Sequence, residues 1–347
     1  MKEETTIKKN RQILLEVKDL KKYFPIQKGF LKKHIGDVKA VDGVSFIIRR
    51  GEILGLVGES GCGKTTTGRL VLRAYAPTSG KMFFYDRDKV IDLTSLEGKD
   101  LLDYRRKAQM IFQDPYSSLN PRMTVLQIVG EPLLCLENIS RNERKKHVKE
   151  LLKVVGLDPR YAGRYPHAFS GGQRQRIGIA RVLAPNPDFI VADEAVSALD
   201  VSIQAQIINL LEELQNRYRL TMLFISHDLG VVKHISNRVT VMYVGKIVEL
   251  SETDELFRRP RHPYTEALLS AVPQSDPDHK LNRIVLQGDV ADPANLPSGC
   301  VFHPRCPYRK KGCQETEPPL VSIGDEYQEH FVACHFASEL KLKGVLN

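Results

Sequence analysis

Apolar residues recur in this chain with two different periods, and the switches between them outline its elements. Leu15 and Val17, then Val38, Val41, Val44, Phe46 and Ile48, predict antiparallel strands. Between these groups the basic, glycine-containing stretch Gln27 to Asp37 predicts a loop. Ile53-Leu54-Gly55-Leu56-Val57, Phe189-Ile190-Val191-Ala192 and Met222-Leu223-Phe224-Ile225 are unbroken apolar runs, as expected of strands buried on both faces. The second run ends in Asp193-Glu194 and the third in Ser226-His227-Asp228, so each predicted strand delivers polar groups at its C-terminal end. Helical spacing appears in Val148, Leu151, Leu152 and Val155, and again in Ile203, Ile207, Leu210, Leu211 and Leu214 over residues 201–218. Residues 65–74 predict a helix, and Pro77-Thr78-Ser79-Gly80 a turn after it.

These assignments describe an α/β core with an antiparallel β part at its start. Residues 114–170, which lack strand alternation, predict an inserted helical subdomain. Residues 1–12 form a polar tail. Near 260–275 the composition turns Pro-rich and then Cys-bearing, which places a main domain at 13–265 and a small C-terminal domain at 266–347.

Candidate chemistry enters at Gly58-Glu59-Ser60-Gly61-Cys62-Gly63-Lys64-Thr65-Thr66, which fits the phosphate-loop pattern G-x-x-x-x-G-K-[ST]. Such a loop turns successive amides toward a phosphate, and the glycines permit that turn. Lys64 supplies a charge for the β- and γ-phosphates, and the Thr65 hydroxyl is placed for Mg²⁺. An isolated glycine loop is often only a turn. Here the apolar run before it and the helical segment after it give the strand, loop and helix that ATP binding requires. Asp193 is a candidate Mg²⁺ ligand and Glu194 a candidate general base for the attacking water, against the plainer alternative of a solvated acidic turn. His227 is placed either to contact the γ-phosphate or to cap a helix. Ser170-Gly171-Gly172-Gln173 predicts a helix start with exposed amides, a second anion site.

With 347 residues, 42% hydrophobic and 27% charged, the chain has an ordinary globular composition. No apolar run approaches the length of a membrane span, and the N-terminus lacks an apolar signal core, so a cytosolic protein is expected. The net charge of +9 suits a solvated surface, an anionic membrane surface or nucleic acid, but no aromatic stacking platform supports the last.

Taken with Phe169-Ser170-Gly171-Gly172-Gln173, these motifs resemble the ATP-binding subunits of ABC transporters over residues 13–255. The resemblance implies a P-loop, RecA-like ATPase core with an antiparallel β subdomain and an inserted helical subdomain. It makes Gln113 the Q-loop glutamine and a Mg²⁺ contact, Ser197-Ala198-Leu199-Asp200 the D-loop, and His227 the switch histidine. Two such domains pair head to tail, so that each signature motif closes on the ATP held by the other. Adenine is expected to stack on Phe24, with Tyr23 as the neighbouring alternative. Arg261-His262-Pro263-Tyr264-Thr265, Ser298-Gly299-Cys300 and the stretch Phe112 to Pro121 look like the oligopeptide/dipeptide permease branch, in its F-type subunit. That branch implies two membrane permease subunits, a non-identical second ATPase, an extracytoplasmic solute-binding protein, and a peripheral place on the cytoplasmic face of the membrane. Two residues depart from the family: Ala195 follows Glu194 where Pro is common, and Ala168 stands where Glu is frequent.

Four of the six cysteines, Cys300, Cys306, Cys313 and Cys334, lie in the last 48 residues. Stable disulfides are rare in the cytosol, which leaves a metal site or free thiols. No pair of C-x-x-C knuckles marks a zinc site, and a [4Fe-4S] cluster, Zn²⁺ and unligated thiols all remain open. The branch resemblance favours the cluster. Cys62 and Cys135 stand apart. The implied function is an ATPase that drives di- or oligopeptide uptake. The alternatives are a regulatory nucleotide-binding subunit with weak hydrolysis and a soluble ABC-type ATPase acting on nucleic acid. Cargo choice belongs to the binding protein and permease, so nickel chelates and oligosaccharides remain open as well.

Overall fold

A computed structural model of the chain describes residues 13–29, 33–87, 89–114, 116–136, 139–272, 283–324 and 329–345. The expected tail, 1–12, lies outside the described residues. Two compact units emerge. The first comprises Met1–Ile48, Ile53–Thr94 and Ser226–Asn347, and the second Arg49–Glu52 and Ser95–Ile225.

The first unit carries two sheets. One has the order β2-β1-β4-β5, built from β1 (Ile13–Lys28), β2 (Lys33–Arg49), β4 (Ser79–Asp86) and β5 (Lys89–Asp92). β1 and β4 run antiparallel with Leu15 opposite Phe84 and Val17 opposite Met82, and all four side chains are buried. The loop expected over Gln27 to Asp37 is largely strand, since β1 continues to Lys28 and β2 begins at Lys33. These strand ends are exposed or half-buried, so no apolar alternation marks them.

The second sheet of this unit has the order β11-β12-β10-β9-β3. Its strands are β3 (Ile53–Val57), β9 (Arg238–Tyr243), β10 (Lys246–Glu252), β11 (Val321–Ser322) and β12 (His330–Val332). β3 lies parallel to β9, and β3 is buried along its whole length, as its unbroken apolar run predicts. β12 pairs antiparallel with β10, setting Glu249 opposite Val332. The C-terminal segment is thereby built into the same sheet as the strand that precedes the glycine loop. Helix α1 (Lys64–Val71) follows that loop and ends earlier than the segment 65–74 suggests.

In the second unit, β6 (Ala108–Ile111), β7 (Phe189–Asp193) and β8 (Thr221–Ile225) form parallel pairs in the order β8-β7-β6. Between β6 and β7 the described residues contain helices α3 (Val125–Leu136), α4 (Arg141–Val154) and α5 (Gly171–Leu183) and no strand. α2 (Gly98–Lys107) precedes β6, and α6 (Val201–Tyr218) joins β7 to β8. α4 opens with a capping box in which Ser140 and Glu143 satisfy each other's backbone amides. No described helix is long and apolar enough to cross a membrane.

Candidate active site

The glycine loop leaves β3 at Val57 and enters α1 at Lys64. Two positions admit only glycine. Gly58 has φ 152° and a Cβ there would lie 2.1 Å from the Met242 carbonyl oxygen. Gly63 has φ 106° and a Cβ there would lie 2.2 Å from that of Ala40. Gly63 is also the N-cap of α1 and brings no side-chain cap to the positive end of that helix. The Lys64 ammonium is buried and donates to the carbonyls of Gly58 (2.8 Å) and Glu59 (2.9 Å), which curls the loop around it. Cys62 is buried beneath the loop, and burial raises its thiol pKa. Ser60 and Gly61 are exposed, while Thr65 and Thr66 are half-buried.

Two further expected residues belong to this unit. His227 is exposed, just ahead of helix α7 (Leu229–Ile235), whose first amides are capped by the Asp228 carboxylate. Phe24 is half-buried on β1, meets Tyr75 edge-on with 5.8 Å between ring centres, and has the Lys22 ammonium 5.1 Å from its ring centre.

In the second unit Asp193 is the buried last residue of β7. Glu194 follows in the left-handed region, φ 48°, which is uncommon for a non-glycine residue and occurs often at functional sites. Its amide donates to the Ile225 carbonyl (3.0 Å), and its carbonyl accepts from the Ser197 amide (3.1 Å) and hydroxyl (3.0 Å). The Gln113 side-chain amide donates to the Glu194 carboxylate at 2.8 Å, so these two candidates, 81 positions apart, are brought together. Ala195 is buried, and its carbonyl accepts from the buried Gln175 side chain at 2.6 Å. That bond anchors the backbone beside Glu194 at Ala195, the position where the family resemblance leads to an expectation of proline.

Ser170 caps α5: its hydroxyl accepts from the Gln173 amide at 3.4 Å, and Gln173 returns the bond to the Ser170 amide at 3.1 Å. A Cβ on Gly172 would lie 2.5 Å from Ile203 Cγ2, so glycine there lets α6 pack against α5. Asp200 is the exposed N-cap residue of α6, with no side-chain cap bond.

Cys300, Cys306, Cys313 and Cys334 all line one cavity of about 20 Å³ in the first unit. Burial pushes the Cys300 thiol up to about 11 and the Cys306 thiol up to about 12. Among the described residues no three His, Cys, Asp or Glu side chains are disposed to hold a metal ion. The expectation of a four-cysteine metal site is therefore corrected to four convergent thiols that do not form a ready-made ligand set.

The sequence reading passed over Arg305 and Tyr264, both of which reach the glycine loop. Arg305 pairs with Glu59, and the Tyr264 hydroxyl accepts from the Glu59 amide. The available signal was their place inside motifs already noted, beside Cys306 and after Pro263.

A phosphate-shaped loop at the head of a helix, a strand ending in paired carboxylates and a Ser-Gly-Gly-Gln helix start define an ATP-binding cassette. Comparison with known proteins makes this specific. The family model described as ABC transporter matches residues 41–197, and that described as the C-terminal region of the oligopeptide/dipeptide transporter matches residues 248–313. The oligopeptide transport ATP-binding protein AppF of Bacillus subtilis (strain 168) is 55% identical over 332 residues, which cover 95% of this chain and 99% of AppF. The dimeric post-hydrolysis structure of the cassette MJ0796, bound to ADP and Pi, aligns with a TM-score of 0.60 and 30% identity, covering 69% of this chain and 99% of that one. The structure of cbiO1 from Clostridium perfringens, part of the ABC transporter complex cbiONQ, aligns with a TM-score of 0.59 and 27% identity, covering 71% and 91%. The chain belongs to the ATP-binding proteins of the ABC transporter family, in its oligopeptide/dipeptide branch.

Proposed function

We propose that this chain hydrolyses ATP to drive the import of di- or oligopeptides through membrane permease subunits. One observation carries the hydrolytic half of this reading: Glu194, in left-handed backbone at the end of β7, with the Gln113 amide 2.8 Å from its carboxylate. A carboxylate held this way can orient a water and take its proton, with Gln113 fixing its aim. The glycine loop and Lys64 bind the phosphates, His227 acts at the γ-phosphate, and Phe24 stacks on adenine. Thr65, Gln113 and Asp193 would hold Mg²⁺, which would supply charge neutralisation for the phosphates. Ser170, Gly171, Gly172, Gln173 and Asp200 serve the nucleotide of a second ATPase in a head-to-tail dimer. The cassette MJ0796 is dimeric in its post-hydrolysis state bound to ADP and Pi.

Peptide cargo is supported by the 55% identity to AppF, which is named for oligopeptide transport. The exposed Tyr116, just after Gln113, suits a contact through which ATP-driven movement reaches the permease at the cytoplasmic face of the membrane. The cargo assignment is tested in reconstituted transporter with its solute-binding protein. Peptides should stimulate ATP hydrolysis, and stimulation by nickel chelates or oligosaccharides alone would replace the assignment.

A further inference from the structure

The second residue of the glycine loop, Glu59, brings a carboxylate to a loop whose work is to receive phosphates. Its side chain is engaged from the far end of the chain. Arg305 Nη1 donates to Glu59 Oε2 at 2.7 Å and Nη2 to Oε1 at 3.1 Å, a two-pronged pair that fixes the carboxylate in orientation as well as distance. The Arg305 side chain is only 9% exposed, which sets this pair apart from the solvated ion pairs that contribute little. The guanidinium lies 5.9 Å from the Tyr243 ring centre. Tyr243, Tyr264 and Phe302 are buried against one another, with ring centres 4.7 to 5.4 Å apart. From this cluster the Tyr264 hydroxyl accepts the Glu59 amide at 2.8 Å. Glu59 is thus held at both backbone and side chain by residues of the C-terminal segment.

We propose that Arg305 is a positioning residue for the phosphate loop: it draws back and neutralises the Glu59 carboxylate, so that amides and the Lys64 ammonium, and no bare negative charge, meet the incoming phosphates. Like charges brought together at a binding site cost affinity. The Arg305–Glu59 pair cancels that cost within the loop. The C-terminal segment, which carries the four cysteines, thereby becomes a part of the nucleotide site's electrostatics.

This inference rests on the reading of the glycine loop as the nucleotide site, and equilibrium titration of the full chain with fluorescent ATP and ADP separates the two. If Lys64→Ala binds ATP as tightly as the wild type, the site reading itself fails. With Lys64→Ala impaired, Arg305→Ala should weaken ATP and ADP by about tenfold, and the loss should shrink as salt rises. Adding Glu59→Gln to Arg305→Ala should restore binding to within about threefold of the wild type, because the unneutralised charge is gone. Glu59→Gln alone should tighten ATP binding, a readout that stands even if Arg305→Ala fails to fold. Wild-type affinity in Arg305→Ala, a double variant as weak as Arg305→Ala, or looser binding in Glu59→Gln would each overturn the proposal.

Discussion

The glycine loop and the four-cysteine cavity both belong to the first unit, yet they are made in opposite ways. The loop is nine consecutive residues, 58–66, whose backbone is the site. Its side chains matter mainly through their absence at Gly58 and Gly63 or through the one buried ammonium of Lys64. The cavity gathers side chains from residues 262–340 and depends on polar anchors elsewhere to bring them together. Buried Glu249 on β10 accepts from the amides of Arg261 (2.7 Å) and His262 (3.0 Å) and meets the His330 ring at 2.7 Å. Buried Glu266 accepts from the Tyr308 hydroxyl (2.9 Å) and the Lys343 amide (2.7 Å). A site built from contiguous backbone takes its shape locally and has only its charge tuned by a distant contact such as Arg305, whereas one built from distant side chains stands or falls with its anchors.

That contrast can be broken most sharply at Glu249. Glu249→Ala leaves two amides and a histidine unpaired in the interior and should lower stability by about 3 kcal/mol, read as a shift in the denaturant midpoint. A shift near zero would mean that the C-terminal segment is held by apolar packing alone. Gly63→Val acts on the other region. The added side chain meets the Ala40 carbonyl and cannot readily adopt φ 106°, so ATP affinity should fall at least about a hundredfold. Retained affinity would show that the loop relaxes around a side chain. The smallest effect is expected at Ser170→Ala, which removes the cap of α5 and should cost about 1 kcal/mol in thermal unfolding.

The same contrast decides what the sequence could show. β3, β7 and β8 are unbroken apolar runs because each is buried along its length, and α6 keeps helical spacing because Ile207, Leu210, Leu211 and Leu214 lie on its buried face. The glycine loop and the Ser170 helix start were legible because their chemistry fixes residue types at fixed short spacings. The outer part of the β1–β2 pair reads as a loop because its residues are exposed or half-buried and show no apolar alternation. β12 is three residues long, too short for a period, and its pairing with β10 is settled by contacts far apart in the chain. Arg305 and Glu59 are 246 positions apart, so no local pattern announces their pairing. The cysteines were legible as a group but not as a geometry, since thiols that line one cavity need not stand close enough to share an ion.

Hydrolysis at Glu194 is tested most directly by the ATPase activity of the reconstituted transporter, with peptide and solute-binding protein, comparing the wild type with Glu194→Gln. Loss of a general base should lower the peptide-stimulated rate by at least about tenfold while ATP binding persists. An unchanged rate would contradict the assignment, place hydrolysis in the partner ATPase and leave this chain a regulatory nucleotide-binding subunit.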